Sequence, residues 1–239
     1  MTSLVQVTPI WRPTLTCAEE TNVLETIQAS HEIQMEFLAP ASLNTSYYED
    51  SFPGLEIRSM PDDYFESIAS YNGLMLSPAF YDMYGQFEFV AIVQTDAFLR
   101  KSLLSLENFN FDYLGAPWPA GIHYRSFAGR IFVEQMQSPN SVSIRRIALG
   151  FLGHRVFVGN GGLSIRNVQE FRSFVSEFEN SNRGFLNQGI NEDIIISTVG
   201  AECGLVVAEP EFAGTVFREH VSREQAEAED LFGVHAPKR

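Results

Sequence analysis

Along the chain, hydrophobic positions switch between a strand-like and a helix-like period. Leu4 to Val7 alternate as a short strand, and Thr16 and Glu19 have capping-box spacing ahead of a helix with Val23, Leu24 and Ile27 on one face. Glu32 to Leu38 alternate as a second strand, and Pro53-Gly54 leads into Leu55-Glu56-Ile57. Asp62 and Asp63 then predict the start of a helix carrying Phe65 and Ile68. Phe87 to Val93 is almost continuously apolar, which is what a strand covered on both faces of a sheet looks like. It stops at Gln94-Thr95-Asp96. Further on, Val156 to Val158 reads as strand, Gly159 to Gly162 as a turn and Leu163 to Ile165 as strand. Asn167 and Glu170 can then cap a helix with Val168, Phe171, Phe174, Val175 and Phe178 at helical spacing. Repeated β-then-α units of this kind predict an α/β sandwich with a mostly parallel central sheet, whose ligands gather at the carboxyl ends of the strands.

Composition narrows the function. The 239 residues are 45% hydrophobic, enough for a sizeable core without a structural metal or disulfides. No linker composition divides them, so one domain over 1–239 is expected. Acids outnumber bases 30 to 16, and the net charge of −14 argues against nucleic acid as a partner. Cys17 and Cys203 have neither CxxC spacing nor a disulfide framework and read as reduced thiols. There is no signal-peptide pattern at the N-terminus and no apolar run long enough to span a bilayer, so a cytoplasmic location is expected, with peripheral contact to the inner face of a membrane left open. Residues 121–155 depart from the acidic average: Arg125, Arg130, Arg145, Arg146 and Arg155 face a single acid, Glu134.

Candidate chemistry falls at a few points. Asp96 follows the buried strand, where a carboxylate can hold a hard divalent cation or cap a helix. Asn160, Gly161 and Gly162 allow close backbone approach to a ligand, or equally a tight hairpin. Asn191-Glu192-Asp193 offers adjacent carboxylates for general base catalysis, or the acidic first turn of a helix. His235 can ligate a metal or stand exposed near the C-terminus. Trp118, between Pro117 and Pro119, can stack on a sugar ring or pack at a loop corner. The chain has no P-loop, GxGxxG, GxSxG or zinc spacing, which disfavours ATP, dinucleotide, serine-hydrolase and zinc chemistry.

In their order along the chain these pieces resemble the glycosyltransferases of the GT-A fold. The strings IVQTDAF, FDYLGAPWP, VGNGGLSIRN, NEDIIIS and FGVH are similar to a bacterial family of glycosyltransferase-like proteins catalogued mainly as a domain of unknown function. The resemblance implies a GT-A (Rossmann-like) α/β/α domain, with a donor-nucleotide half over 1–100 and an acceptor half with a C-terminal metal-binding tail over 101–239. It implies Mn2+ or Mg2+ held by Asp96 and His235, and a nucleotide-sugar donor, UDP favoured, on Gln94, Thr95, Asp96, Gly161 and Gly162. Asp193 is the implied base of an inverting transfer to a glycan, lipid-linked or other hydroxyl acceptor, with Glu192 beside it. Trp118, Asn160, Arg145 and Arg146 are the expected acceptor contacts. Gln94 stands where the family pattern has the first acid of its DxD motif. A non-catalytic sugar-binding protein, a nucleotidyl or phosphoryl transferase and a transferase acting on a modified DNA base are the competing readings.

Overall fold

The computed structural model describes residues 2–127, 130–135, 154–181 and 189–238. Its centre is a six-stranded sheet built from β1 (Leu4–Pro9), β2 (Gln34–Pro40), β3 (Glu56–Met60), β4 (Phe89–Val93), β6 (Tyr113–Gly115) and β10 (Leu163–Asn167). The strand order is β3-β2-β1-β4-β10-β6. The first four strands are parallel, and β10 is antiparallel to both β4 and β6. All five residues of β4 are buried, as its apolar run predicts for a central strand.

Helices cover the sheet where the sequence places them, with instructive differences. Helix α1 (Cys17–Ala29) opens with the Thr16/Glu19 capping box, but it buries Asn22, Val23 and Thr26 and leaves Leu24 half exposed. Its polar inner face is used: Asn22 donates to the Thr95 carbonyl at 3.0 Å, and the Leu99 amide donates to Thr26 Oγ1 at 3.0 Å. After α2 (Ser46–Ser51), the helix predicted at Asp62 is a 3-10 turn over Asp62–Phe65. A separate helix, α3 (Ile68–Met75), follows with its own cap on Ser67, so Ile68 is its exposed first residue rather than a core position. Helix α4 (Pro78–Met83) and α5 (Val168–Ser181) pack together, and α5 buries Val168, Phe171, Phe174, Val175 and Phe178. Its first turn is capped by Asn167, whose Oδ1 accepts from the Glu170 amide at 3.1 Å.

Two smaller sheets flank the main one. Strands β7 (Pro117–Phe127), β8 (Arg130–Gln135) and β9 (His154–Val158) form an antiparallel sheet in the order β8-β7-β9. The described parts of the arginine-bearing stretch 121–155 lie in these strands. The third sheet joins β5 (Ala97–Leu99), β11 (Phe217–Glu219) and β12 (Gly233–His235). Between them lie α6 (Glu192–Ile195), which continues into a π-helical stretch at Ile196–Gly200, α7 (Pro210–Val216) and α8 (Arg223–Ala228). Ile194, Ile195 and Ile196 are thus helical. Cys17 and Cys203 are free and exposed. Among the described residues no helix is long and apolar enough to cross a membrane.

One buried polar knot ties the edge of the sheet. Glu36 is buried on β2, takes both Nε (2.7 Å) and Nη2 (2.9 Å) of Arg58 on β3, and accepts from Tyr84 Oη at 2.5 Å. Replacing Arg58 by Leu strands a carboxylate in the core, and removal of one partner from such a pair costs about 3 kcal/mol or more. Urea denaturation of Arg58→Leu is expected to show that loss, with Arg58→Lys intermediate because an ammonium cannot make the bidentate contact.

Candidate active site

The sheet topology brings distant segments to one edge. Because β10 runs antiparallel to β4 with Leu163 opposite Val93, the Gly159–Gly162 turn meets the chain leaving β4, and the Gln94 amide donates to the Gly162 carbonyl at 2.8 Å. Because β12 runs antiparallel to β5 with His235 opposite Ala97, His235 lies beside Asp96, with the Ala236 amide donating to the Asp96 carbonyl at 2.9 Å. Asp96 leads into the β5 strand, which disposes of its reading as a helix cap. Asn160 adopts a left-handed conformation with φ of 60°, a region open to asparagine because its short side chain bonds locally. Its Oδ1 accepts from the Leu163 amide at 3.1 Å, and its Nδ2 contacts Glu219 and lies 2.8 Å from His235 Nδ1.

A cavity of about 480 Å3 opens at this edge. Its floor is polar, formed by Gln94, Asn160, Gly161, Gly162, Glu192, Asp193 and His235, while Trp11, Phe65, Ile68 and Tyr71 line its other side. His235 is held from both ring nitrogens, Nε2 at 3.4 Å from Asp96 Oδ1 and Nδ1 at 3.4 Å from Glu219 Oε1. Burial alone would lower its pKa, but the two carboxylates outweigh burial and raise it to about 9. Asp96, for its part, is raised by burial and lowered more by its bond to His235, ending below the usual carboxylate range.

Residues Glu192 and Asp193 are adjacent in sequence and differently wired. Glu192 Oε1 is 3.3 Å from Nη2 of Arg166. With the Asn72 amide turned so that its nitrogen faces a carboxylate oxygen, Asn72 donates to Glu192 Oε2 at 2.9 Å and to the Ile68 carbonyl at 3.3 Å. Asp193 instead accepts from the backbone amides of Ile194, at 2.7 Å, and Gly161. Burial and the neighbouring Glu192 charge push Asp193 up to about 7.

Glycines keep the floor open. A Cβ on Gly161 would overlap the Glu192 carboxylate, and one on Gly162 would overlap Gln94 Oε1 and lie 2.8 Å from His235 Nε2. An amide oxygen, an imidazole nitrogen and, beyond it, the Asp96 carboxylate therefore converge over Gly162. That donor set suits a hard divalent cation. Among the described residues no group of three or more His, Cys, Asp or Glu side chains is placed to hold a metal ion.

Other expected residues fall elsewhere. Thr95 is buried and turned away, donating to Glu19 Oε1 at 3.0 Å. Trp118 sits in a strand rather than on a loop, only 7% exposed, with its ring filling the space above Gly159. Arg145 and Arg146 lie outside the described residues. The Arg155 guanidinium is engaged within its own sheet, bonding the Ala120 carbonyl and stacking over Phe157. Three residues escaped the sequence reading. Arg166 and Glu219 carry no local signal, because their partners are far along the chain. Trp11 follows the first strand and is 48% exposed at the cavity, an exposure no periodicity announces.

This α/β architecture is the GT-A glycosyltransferase fold. Mouse xyloside xylosyltransferase 1 in its apo form is similar with a TM-score of 0.53 and 10% identity, over 98% of this chain and 97% of that one. The galactosyltransferase LgtC, solved with donor and acceptor sugar analogues, is similar with a TM-score of 0.52 and 12% identity, over 97% of this chain and 86% of the other. The chain belongs to the family described as protein of unknown function (DUF5672), whose model matches residues 54–235. Comparison with curated proteins gives no match.

Proposed function

We propose that this protein transfers a sugar from a nucleotide-sugar donor to a hydroxyl acceptor, with Asp193 as general base of an inverting reaction. The observation that carries the reading is the wiring of the two carboxylates at the cavity: one is fixed by a guanidinium, and the other, Asp193, is held by backbone amides with its pKa raised toward neutrality. A base poised near the working pH takes a proton most effectively from an attacking hydroxyl. The two halves expected from the sequence both reach the cavity, Trp11, Tyr71 and Gln94 from 1–100 and Asn160, Asp193 and His235 from 101–239. On this reading the first half binds donor nucleotide and the second presents the acceptor.

Asp96 and His235 would hold a divalent cation, Mn2+ or Mg2+, with the Gln94 amide oxygen beside them. Such an ion, when bound, neutralises charge on the departing nucleoside diphosphate. The protein's own contribution is orientation. Glu219 holds His235 Nδ1 and so directs Nε2 toward Asp96, in the way outer carboxylates fix metal-binding imidazoles. Trp11 at the rim offers a half-exposed aromatic face for a base or sugar ring. Gly161 and Gly162 leave room for the donor against the backbone.

A thermal-shift panel of UDP-, GDP-, dTDP- and CMP-sugars with and without manganese tests the reading, since a ligand bound only by the folded state raises the melting temperature. Manganese-dependent stabilisation by one nucleotide class, UDP favoured, is expected in the wild type and lost in Asp96→Ala and His235→Ala. Absence of any shift would leave a sugar-binding protein on a transferase fold.

A further inference from the structure

Arg166 is the most anomalous side chain in the core. It is fully buried in β10, a strand covered on both faces, where a lone guanidinium costs several kcal/mol unless its donors are satisfied. They are spent on a defined set of partners: Nε on Ser164 Oγ (3.2 Å), Nη1 on Tyr81 Oη (3.2 Å), and Nη2 on both the Gly161 carbonyl (3.3 Å) and Glu192 Oε1 (3.3 Å). The rings of Tyr113 and Phe171 flank it at 5.9 and 5.8 Å. The carboxylate it meets is Glu192, at the cavity floor. Asp193, the next residue, accepts from the backbone amides of Ile194 and Gly161, and Arg166 also holds the carbonyl of Gly161.

We propose that Arg166 is a positioning residue for the carboxylate pair: by fixing Glu192 as an ion and clamping Gly161, it leaves Asp193 as the member that exchanges a proton at the cavity. The inference rests on the reading of Asp193 as the base. Two adjacent buried carboxylates without a counter-charge would share one proton, and neither would be a defined base. With Arg166 in place the degeneracy is broken. The groups facing Asp193 are Glu192 on α6, Arg166 on β10 and Tyr113 on β6. Tyr81 on α4 and Tyr71 on α3 face Glu192, and His235 on β12 lies across the cavity. The three tyrosines are held neutral by burial, so after burial itself the charges acting on Asp193 are Glu192, which raises its pKa, and Arg166, which lowers it less.

The test is an NMR titration of protein labelled with 13C at the aspartate and glutamate side-chain carboxyls, with Asp193 and Glu192 assigned by the resonances lost in Asp193→Asn and Glu192→Gln. In the wild type Asp193 titrates in the neutral range and Glu192 does not follow it. Arg166→Met is expected to raise the first proton uptake of the pair by about one pH unit or more, the size of effect a close charge exerts, with both resonances moving together. Arg166→Lys restores most of the separation. Glu192→Gln, close in shape to the native side chain, shifts Asp193 the other way, downward by about one unit or more. An Asp193 midpoint unchanged in folded Arg166→Met overturns the inference. If Arg166→Met does not fold, an unchanged midpoint in Glu192→Gln does so instead. Sugar transfer is assayed separately on the same wild-type protein: failure to use any nucleotide-sugar defeats the proposed function, while the titration still decides what Arg166 does.

Discussion

If Asp193 is the base of the proposed transfer, Asp193→Asn is expected to lower sugar transfer by a factor of about 10² to 10⁴, the usual contribution of a positioned general base, while donor binding survives. The amide keeps the size of the side chain and an oxygen that can accept from the Ile194 and Gly161 amides, but it cannot take a proton. Loss should therefore fall on turnover and not on nucleotide-induced thermal shift. In the wild type the base must be ionised, and its pKa is raised, by burial first and the Glu192 charge second, to about 7, so the rate is expected to climb with pH through the neutral range. Stability runs the opposite way. A carboxyl whose folded pKa lies above its unfolded value of 3.8 favours folding while it is protonated, and that contribution is lost as pH rises through the folded value. At pH 8 the wild type carries the full cost of a buried ion there, and Asp193→Asn does not. The variant is therefore expected to melt at a higher temperature than wild type at pH 8, with the difference closing toward pH 4. An inactive variant that melts lower at pH 8 would mark Asp193 as a structural residue.

The backbone of this architecture was legible because its signals are local. The Thr16/Glu19 box, the apolar Phe87–Val93 run and the Asn167 cap each act within a few residues; the box and the cap appear where the sequence placed them, and the run forms a strand over Phe89–Val93. Gln94, Gly162, Glu192, Asp193 and His235 line one cavity, because sheet topology fixes where the strand ends go. What stayed hidden depends on partners remote in sequence. Arg166 between Ile165 and Asn167 gives no sign of burial in its local sequence; its partners include Tyr81, 85 residues back, and Glu192, 26 residues on. Thr95 looked like part of a ligand motif, but Glu19 of α1 claims its hydroxyl. Leu24 and Ile68 show the converse: apolar residues at helical spacing stay exposed because Asn22 and Thr26 have hydrogen bonds to make inside, and because Ser67 starts a new helix at Ile68.

Gly115→Ala is expected to be the most damaging single methyl group in the protein. Gly115 ends β6, and a Cβ built there would sit inside the Gly159 carbonyl oxygen, 2.9 Å from its carbon and 3.0 Å from the Asn160 carbonyl oxygen. These neighbours are backbone, which cannot rotate aside as a flexible side chain can. Overpacking a tight core costs about 1–3 kcal/mol and sometimes more, and with backbone on the receiving side the expected loss is about 3 kcal/mol in urea denaturation. The displacement also has a direction. Gly159 is pinned on its other side by the Trp118 ring, so the loop yields toward Asn160, which positions His235, and toward Gly161, which lies against Glu192 and Asp193. Substrate turnover should therefore fall even at temperatures where the variant is fully folded, whereas Gly73→Ala, where a Cβ meets nothing within 4 Å, should leave both folding and turnover intact. Equal effects of the two substitutions would show that the contact between β6 and the glycine turn does not hold the cavity in shape.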